Sequence, residues 1–397
     1  MPGFEFFGEK EKKEVQNVLD TGILMRYGFD GMRQGQWKAK ELESALEQRM
    51  GTKHAHVVSS GTAALTVALA SAGVGAGDEV ILPTFTFVAS FEAVLVLGAI
   101  PILVDIDDTL TLDPESVEKA ITERTKVVMP VHMCGSMADL GKLQQICKAH
   151  GLLLLEDACQ AIGGSYKGKP LGSIGDLGCF SFDYVKTVTC GEGGALITDN
   201  ESYYRNADHY SDHGHDHIGK DRGAESHPFL GYNYRISELN AAVGVAQLSR
   251  LDEFIGIQRR NYTILKNTLK EVGGITFRTV PEGGVGNYSF LSFFLPDGEK
   301  ARTAQKALSE AGVDGCFYWY DNNWHYYRKW GHLTHMGSLG NLPQEVKDQL
   351  PDYTQADFSK SDKWIQRNIS CLVKLSWSGT EAQERATKMA TVLRGLM

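Results

Sequence analysis

Lys186 stands in Phe180-Ser-Phe-Asp-Tyr-Val-Lys-Thr-Val-Thr-Cys-Gly-Glu-Gly-Gly194, on a short connection that runs through a Gly-Glu-Gly-Gly turn into the apolar run 195–198. A lysine pinned in this way can form a Schiff base with an aldehyde. Ser181, in the same segment, can donate to a phosphate. Asp157 and Gln160 lie in Leu154-Leu-Glu-Asp-Ala-Cys-Gln. A carboxylate at the C-terminal end of a buried parallel strand sits where α/β proteins bind ligands, and it could keep a ring nitrogen protonated. Gln160 could reach a neighbouring oxygen. Ser59-Ser-Gly-Thr-Ala-Ala-Leu separates a strand-like run from a helix-like one. Gly61 allows a tight turn there, and the first amides of a helix are open donors that suit a phosphate. Each feature has a plainer reading when taken alone. Ser and Thr are ordinary N-caps, Asp157 could cap a helix, and a lysine after a strand is usually solvated. A fourth segment, Gly231-Tyr-Asn233-Tyr-Arg235, joins a long polar stretch to a helix.

These groups need a rigid frame, and the apolar pattern supplies one. Strands are predicted at 54–58, 79–82, 100–104, 126–130, 152–155 and 195–198, with helices at 62–72, 87–97, 114–122 and 137–150 between them. Alternation of this kind predicts an α/β fold with a mostly parallel sheet, and continuous apolar strands predict burial on both faces. Residues 212–231 are polar and rich in His and Gly, and predict a long loop. A helix at 237–251, a charged helix on to about 272, strands near 275–277 and 288–295, and helices near 301–311 and 381–396 form an α+β tail. The expected division is a large domain, 1–255, with an N-terminal arm, and a small C-terminal domain, 256–397.

Composition narrows the function classes. With 42% hydrophobic and 22% charged residues in 397, the chain is an ordinary globular one and not disordered. A net charge of −9 without a basic stripe argues against nucleic acid. The most apolar stretch, 88–104, is interrupted by Ser90, Glu92, Gly98 and Pro101, so no membrane span is expected. The start lacks a basic segment leading into an apolar run, and the seven scattered cysteines form no CxxC pair, so a reduced, cytoplasmic protein is expected.

The four segments together, with Pro83-Thr-Phe-Thr-Phe87-Val-Ala-Ser90 and Ile162-Gly-Gly-Ser-Tyr-Lys-Gly-Lys-Pro-Leu-Gly-Ser-Ile-Gly-Asp176, resemble the DegT/StrS family of sugar aminotransferases over nearly the whole chain. That resemblance implies the fold-type-I aminotransferase architecture and pyridoxal 5′-phosphate (PLP) as cofactor. It implies that Lys186 carries the cofactor, Asp157 pairs with its ring nitrogen and Gln160 lies near its phenolic oxygen. Gly61, Thr62 and Ser181 match the phosphate cup, and Phe87 the aromatic that stacks on the ring. Asn233 matches an asparagine that reaches the neighbouring subunit's cofactor, which implies a homodimer with shared active sites. Relatives that act as dehydratases carry histidine in place of the lysine, whereas this chain keeps Lys186. The intact set of Lys186, Asp157 and Ser181 also argues against a non-catalytic sensor.

Residues 211–228, Gly315-Cys-Phe-Tyr-Trp-Tyr320 and Asn323-Trp-His-Tyr resemble the branch of the family that makes 8-amino-3,8-dideoxy-manno-octulosonate for lipopolysaccharide. By that resemblance, L-glutamate gives its amino group to the C8 aldehyde of a carboxylated eight-carbon sugar, and 2-oxoglutarate is released. The alternative is a 4-keto-6-deoxy nucleotide hexose as acceptor. Both octulosonate-route substrates are anions, so local cations are needed. The candidates are His215, His217, Lys220, Arg222, Arg235 and Arg26. Trp319 and Tyr320 could wall a sugar pocket, or they could belong to a core strand. Histidines 213, 215 and 217 lie on one face of an extended chain and could ligate a metal. The chemistry needs none, and no metal is expected.

Overall fold

The computed structural model describes residues 3–219, 223–334, 337 and 342–397. In chain order the strands are His54–Val58 (β1), Glu79–Pro83 (β2), Ile100–Val104 (β3), Thr125–Val128 (β4), Leu153–Asp157 (β5), Ser165–Tyr166 (β6), Lys169–Pro170 (β7), Leu177–Ser181 (β8), Gly194–Thr198 (β9), Thr276–Phe277 (β10), Gly284–Val285 (β11), Phe290–Phe294 (β12), Cys316–Phe317 (β13) and Asn368–Leu372 (β14). The principal sheet has seven strands in the order β1-β9-β8-β5-β4-β2-β3. Its run from β3 to β8 is parallel, and β9 is reversed against both β8 and β1. The mostly parallel α/β sheet expected from the sequence is thus present.

Successive side chains on a strand point to opposite faces. Val80 and Leu82 of β2, Val127 of β4 and Leu155 of β5 enter one apolar cluster, while Ile81, Val128 and Leu154 enter another. Both faces are therefore covered. The helices that accompany the sheet are Glu9–Thr21 (α1), Lys38–Met50 (α2), Gly61–Ser71 (α3), Ala89–Leu95 (α4), Pro114–Ala120 (α5), Leu140–His150 (α6), Glu201–Tyr210 (α7) and Glu238–Leu248 (α8). Helix α4 starts later than the apolar pattern predicts. The backbone before it is used elsewhere, since the Thr86 amide donates to His325 O at 3.0 Å and the Val88 amide to Trp324 O at 2.9 Å.

A four-stranded antiparallel sheet, β10-β12-β14-β13, forms the second layer with the helices Leu251–Leu269 (α9), Gly298–Glu310 (α10) and Gly379–Arg394. Helix α9 joins the two halves: Leu251 lies in the core of β1, β8 and β9, whereas Leu265 and Leu269 lie in the core of the smaller sheet. Residue 255, the expected boundary, falls inside this helix. Trp319, Tyr326, Trp330, Tyr353 and Ile365 return to the large-sheet core. Among the described residues, no helix is long and apolar enough to cross a membrane.

Candidate active site

The site forms at the carboxyl ends of the parallel strands, where the sheet reverses direction. Asp157 is the last residue of β5 and is buried, with 3% of its surface exposed. Its Oδ2 accepts from Ser90 Oγ at 2.8 Å, and Ser90 in turn bonds Thr86 Oγ1 at 2.7 Å. Oδ1 accepts the Cys159 amide at 3.1 Å. The preceding residue, Glu156, is spent on structure. It accepts from His132 Nε2 at 2.9 Å and from the amides of Gly172, Ile174 and Gly175 at 2.9, 2.7 and 2.8 Å. Two adjacent carboxylates therefore divide: one pins a loop, the other faces the site.

Ser181 ends β8, and Gly61 opens α3 after β1. Ser60 caps α3, its Oγ accepting the Ala63 amide at 3.0 Å and its carbonyl the Ala64 amide at 2.9 Å. Of the first helical amides, those of Gly61 and Thr62 remain for a ligand. Gly61 is demanded by close approach, since a Cβ there would stand 2.6 Å from Ser181 Cβ. Gly194 is demanded likewise, as its Cβ would lie 2.2 Å from Ser60 O. Glycines on both sides thus let the turn before α3 press against β8 and β9.

Lys186 sits on the loop after β8, with its amide bonded to Asp183 O at 3.0 Å. Its carbonyl accepts the Gly3 amide at 2.9 Å, and Phe4 stacks on Tyr184 with ring centroids 4.4 Å apart. The N-terminal arm therefore braces the lysine loop. Gln160 is fixed through its Oε1, which accepts the Cys134 amide at 3.0 Å. Phe87 stacks against Trp324, with centroids 5.6 Å apart and the rings 11° from parallel, and also touches His325.

Gly61, Thr62, Phe87, Asp157, Gln160, Ser181 and Lys186 all line one cavity of about 250 Å³. Ser90, Cys159, Asp183, Glu192 and His325 line it too, and sequence reasoning assigned none of them a role. Burial, reinforced by the charge of Lys186, pulls the His325 imidazole down to about 3, so it is neutral at ordinary pH. All five fall in segments whose pattern the sequence showed, yet residue type and spacing gave none of them a task.

The remaining expected residues lie elsewhere in the chain. Asn233 is exposed and lines a separate concavity that shares Ser60 and Thr62 with the cavity wall. Arg235 Nη1 donates to Asp212, and His215 Nδ1 lies 2.9 Å from Glu225. His217 is clamped between Asp208 at 2.7 Å and Asp212 at 2.9 Å. Burial opposes its protonation, but those two hydrogen bonds prevail and push it up to about 9. Arg26 is buried against Glu43 and Val57 O. Trp319 is buried behind the site, stacked on Phe317, and Tyr320 packs on Tyr326. Lys220 and Arg222 lie outside the described residues. Among the described residues, no three His, Cys, Asp or Glu side chains are grouped to hold a metal.

The cavity fits pyridoxal phosphate. It offers a glycine cradle with open amides beside a serine hydroxyl for a phosphate, a buried carboxylate for a pyridinium, an aromatic wall and a lysine amine. The family model of the DegT/DnrJ/EryC1/StrS aminotransferases matches residues 7–337. The chain is similar to 3-amino-5-hydroxybenzoate synthase of Amycolatopsis mediterranei, 40% identical over 320 residues that cover 79% of each chain. It is also 40% identical over 285 residues to GDP-perosamine synthase of Caulobacter vibrioides, covering 69% of this chain and 74% of that one. The PLP form of a Streptococcus pneumoniae protein aligns with a TM-score of 0.82 at 25% identity, over 98% of this chain and 97% of that one.

Proposed function

The chain belongs to the DegT/DnrJ/EryC1/StrS aminotransferase family, and from that premise we propose that it transfers the amino group of L-glutamate to the C8 aldehyde of 3,8-dideoxy-8-oxo-manno-octulosonate. At the coarser level it is a PLP-dependent aminotransferase of sugar-type substrates. The observation that carries the reading is the meeting of Lys186, Asp157, Phe87 and Ser181 around one cavity. The choice of acceptor rests on residues 211–228 and 315–320, whose pattern resembles the octulosonate branch.

When bound, PLP supplies an electron sink that acidifies the C–H bond next to the substrate nitrogen. Gly61 and Thr62 amides with the Ser181 hydroxyl would hold its phosphate, Phe87 would cover its ring, and Gln160 would meet its phenolic oxygen. Asp157 would keep a proton on the ring nitrogen, its carboxylate held by the Ser90 hydroxyl at 2.8 Å. Lys186 Nζ would anchor the cofactor and, when its amine is free, would hold and move the proton at the substrate carbon as general base and acid. Neutral His325 lines the same cavity without adding a competing cation. In a homodimer, Asn233 would complete the neighbouring subunit's phosphate cup, which suits its exposed position on the outer side of the Ser60–Thr62 turn.

A competition assay tests the acceptor. With glutamate as donor, the octulosonate aldehyde should be aminated in preference to 4-keto-6-deoxy nucleotide hexoses. The similarity to GDP-perosamine synthase makes the nucleotide hexose the second reading. Amination of the hexose without product from the octulosonate aldehyde would overturn the narrow assignment and leave the aminotransferase assignment standing. For site sharing, a Lys186→Ala/Asn233→Ala chain mixed with wild type should give heterodimers below half of wild-type activity. Half activity with undiminished cofactor affinity would count against a shared site.

A further inference from the structure

A second cavity, of about 210 Å³, lies where the segment after β4 meets the small sheet, with Arg278, Lys266, Tyr262, Tyr288 and Cys134 in its walls. Arg278 is 8% exposed. Its Nε donates to Thr109 O and its Nη1 to Met133 O at 2.6 Å, while its Nη2 is buried without a partner. Neither Arg278 nor the half-buried Lys266 forms an ion pair with a carboxylate among the described residues. Asp107, the acid whose charge reaches the guanidinium, is committed to Thr109, whose amide it accepts at 2.9 Å. Cys134 supplies no negative charge either, because burial pushes its thiol up to about 11. Burial pulls Arg278 down to about 10 and lowers Lys266 as well. A buried cation without a counter-charge is costly, and Arg278 together with the half-buried Lys266, whose Nζ lies over the Tyr262 and Phe277 rings, leaves an acid-free cavity that attracts an anion.

We propose that this cavity is a binding site for a small oxyanion, a carboxylate or phosphate group, held by Arg278 and Lys266 and separate from the cofactor cavity. Guanidinium geometry suits both groups, since its forked N–H donors match two oxygens of one ligand. The volume admits an inorganic phosphate or a short dicarboxylate and excludes a nucleotide sugar. The wall it shares with the cofactor cavity is thin. The Cys134 amide bonds Gln160, and Asn287 links the Gly135 carbonyl to the Gln160 carbonyl, the latter at 3.0 Å.

Calorimetric titration of the holoenzyme with inorganic phosphate and, separately, with glutarate at constant ionic strength tests the site. On the proposed use of glutamate, glutarate would also enter the catalytic cavity, so the relevant quantity is the binding that disappears in Arg278→Gln and in Lys266→Met. Saturable binding that weakens by about tenfold or more in either variant is expected for a charge-assisted contact. The stronger of the two ligands identifies the natural group as phosphate or carboxylate. Lys266→Met alone decides the matter if Arg278→Gln does not fold. Absence of saturable binding by both ligands, or equal affinity in wild type and Lys266→Met, would overturn the proposal.

Discussion

The cofactor cavity and the histidine-bearing loop adjoin where Val58 bridges Arg235 and the Ser59 amide donates to Tyr234 O at 2.8 Å, yet they handle charge in opposite ways. In the cavity Lys186 forms no ion pair among the described residues, and its amine remains available to a ligand. In the loop His215, His217 and Arg235 each face a carboxylate, so these side chains are consumed in holding the loop. Basic side chains therefore store reactivity in one region and position in the other. What separates them is whether an acid lies within ion-pair distance: Asp157, Asp183 and Glu192 line the cavity with Lys186 and none of them pairs with it among the described residues, a distinction that no single segment of sequence discloses.

The contrast breaks hardest at Lys186. Lys186→Ala should lower turnover by about 10²–10⁴-fold, the range for loss of a general acid–base group. It should also abolish the cofactor–protein adduct trapped by borohydride, and mapping that adduct to another lysine would refute the assignment. Next comes Ser90→Ala, which removes the hydrogen bond to Asp157. Hydrogen bonds to charged groups contribute about 1.5–3 kcal/mol, so kcat/KM should fall about 10- to 100-fold with the fold intact. An unchanged kcat/KM would show that Asp157 is held without it.

On the loop side the effect is on stability rather than turnover. The His217 pKa is raised in the fold, so its contribution is complete below the unfolded value of about 6.5. That contribution should be lost as pH rises through about 9. Thermal unfolding of wild type should therefore fall toward that of His217→Asn over this window. Parallel curves for the two proteins from pH 6 to 10 would mean that the clamp holds nothing. Smallest of all is the effect of chelation, where full activity is expected after metal removal. Activity lost to a chelator and restored by zinc or iron would move the histidines from position to chemistry.

Much of this was legible from local pattern. The apolar runs disclosed six of the seven strands of the principal sheet, all but β8, and Gly61 and Lys186 stood just beyond strand-like runs. The gaps are long-range. His325 reaches the site because its carbonyl accepts the Thr86 amide, a pairing between distant parts of the chain that local periodicity does not encode. Trp319 illustrates the same difficulty, since a Trp-Tyr pair suits a sugar wall or a core equally, and here Trp319 is 4% exposed. Arg235 offered a cation by its type, and only the fold places Asp212 beside it.

Helix α9 carries a mechanical consequence. Its 19 residues form one uninterrupted rod with its first turn embedded in one core and its last turns in the other. At 1.5 Å per residue the rod is about 28 Å long. A stiff member shared by two bodies is a lever, not a hinge. A tilt of about 5° at one end would carry the other through about 2.5 Å. A displacement of one sheet would therefore be transmitted along this axle, and a helix-breaking proline at an exposed mid-helix position such as Thr263 would break that link while leaving the contacts of Trp319, Tyr326 and Trp330 with the large-sheet core in place.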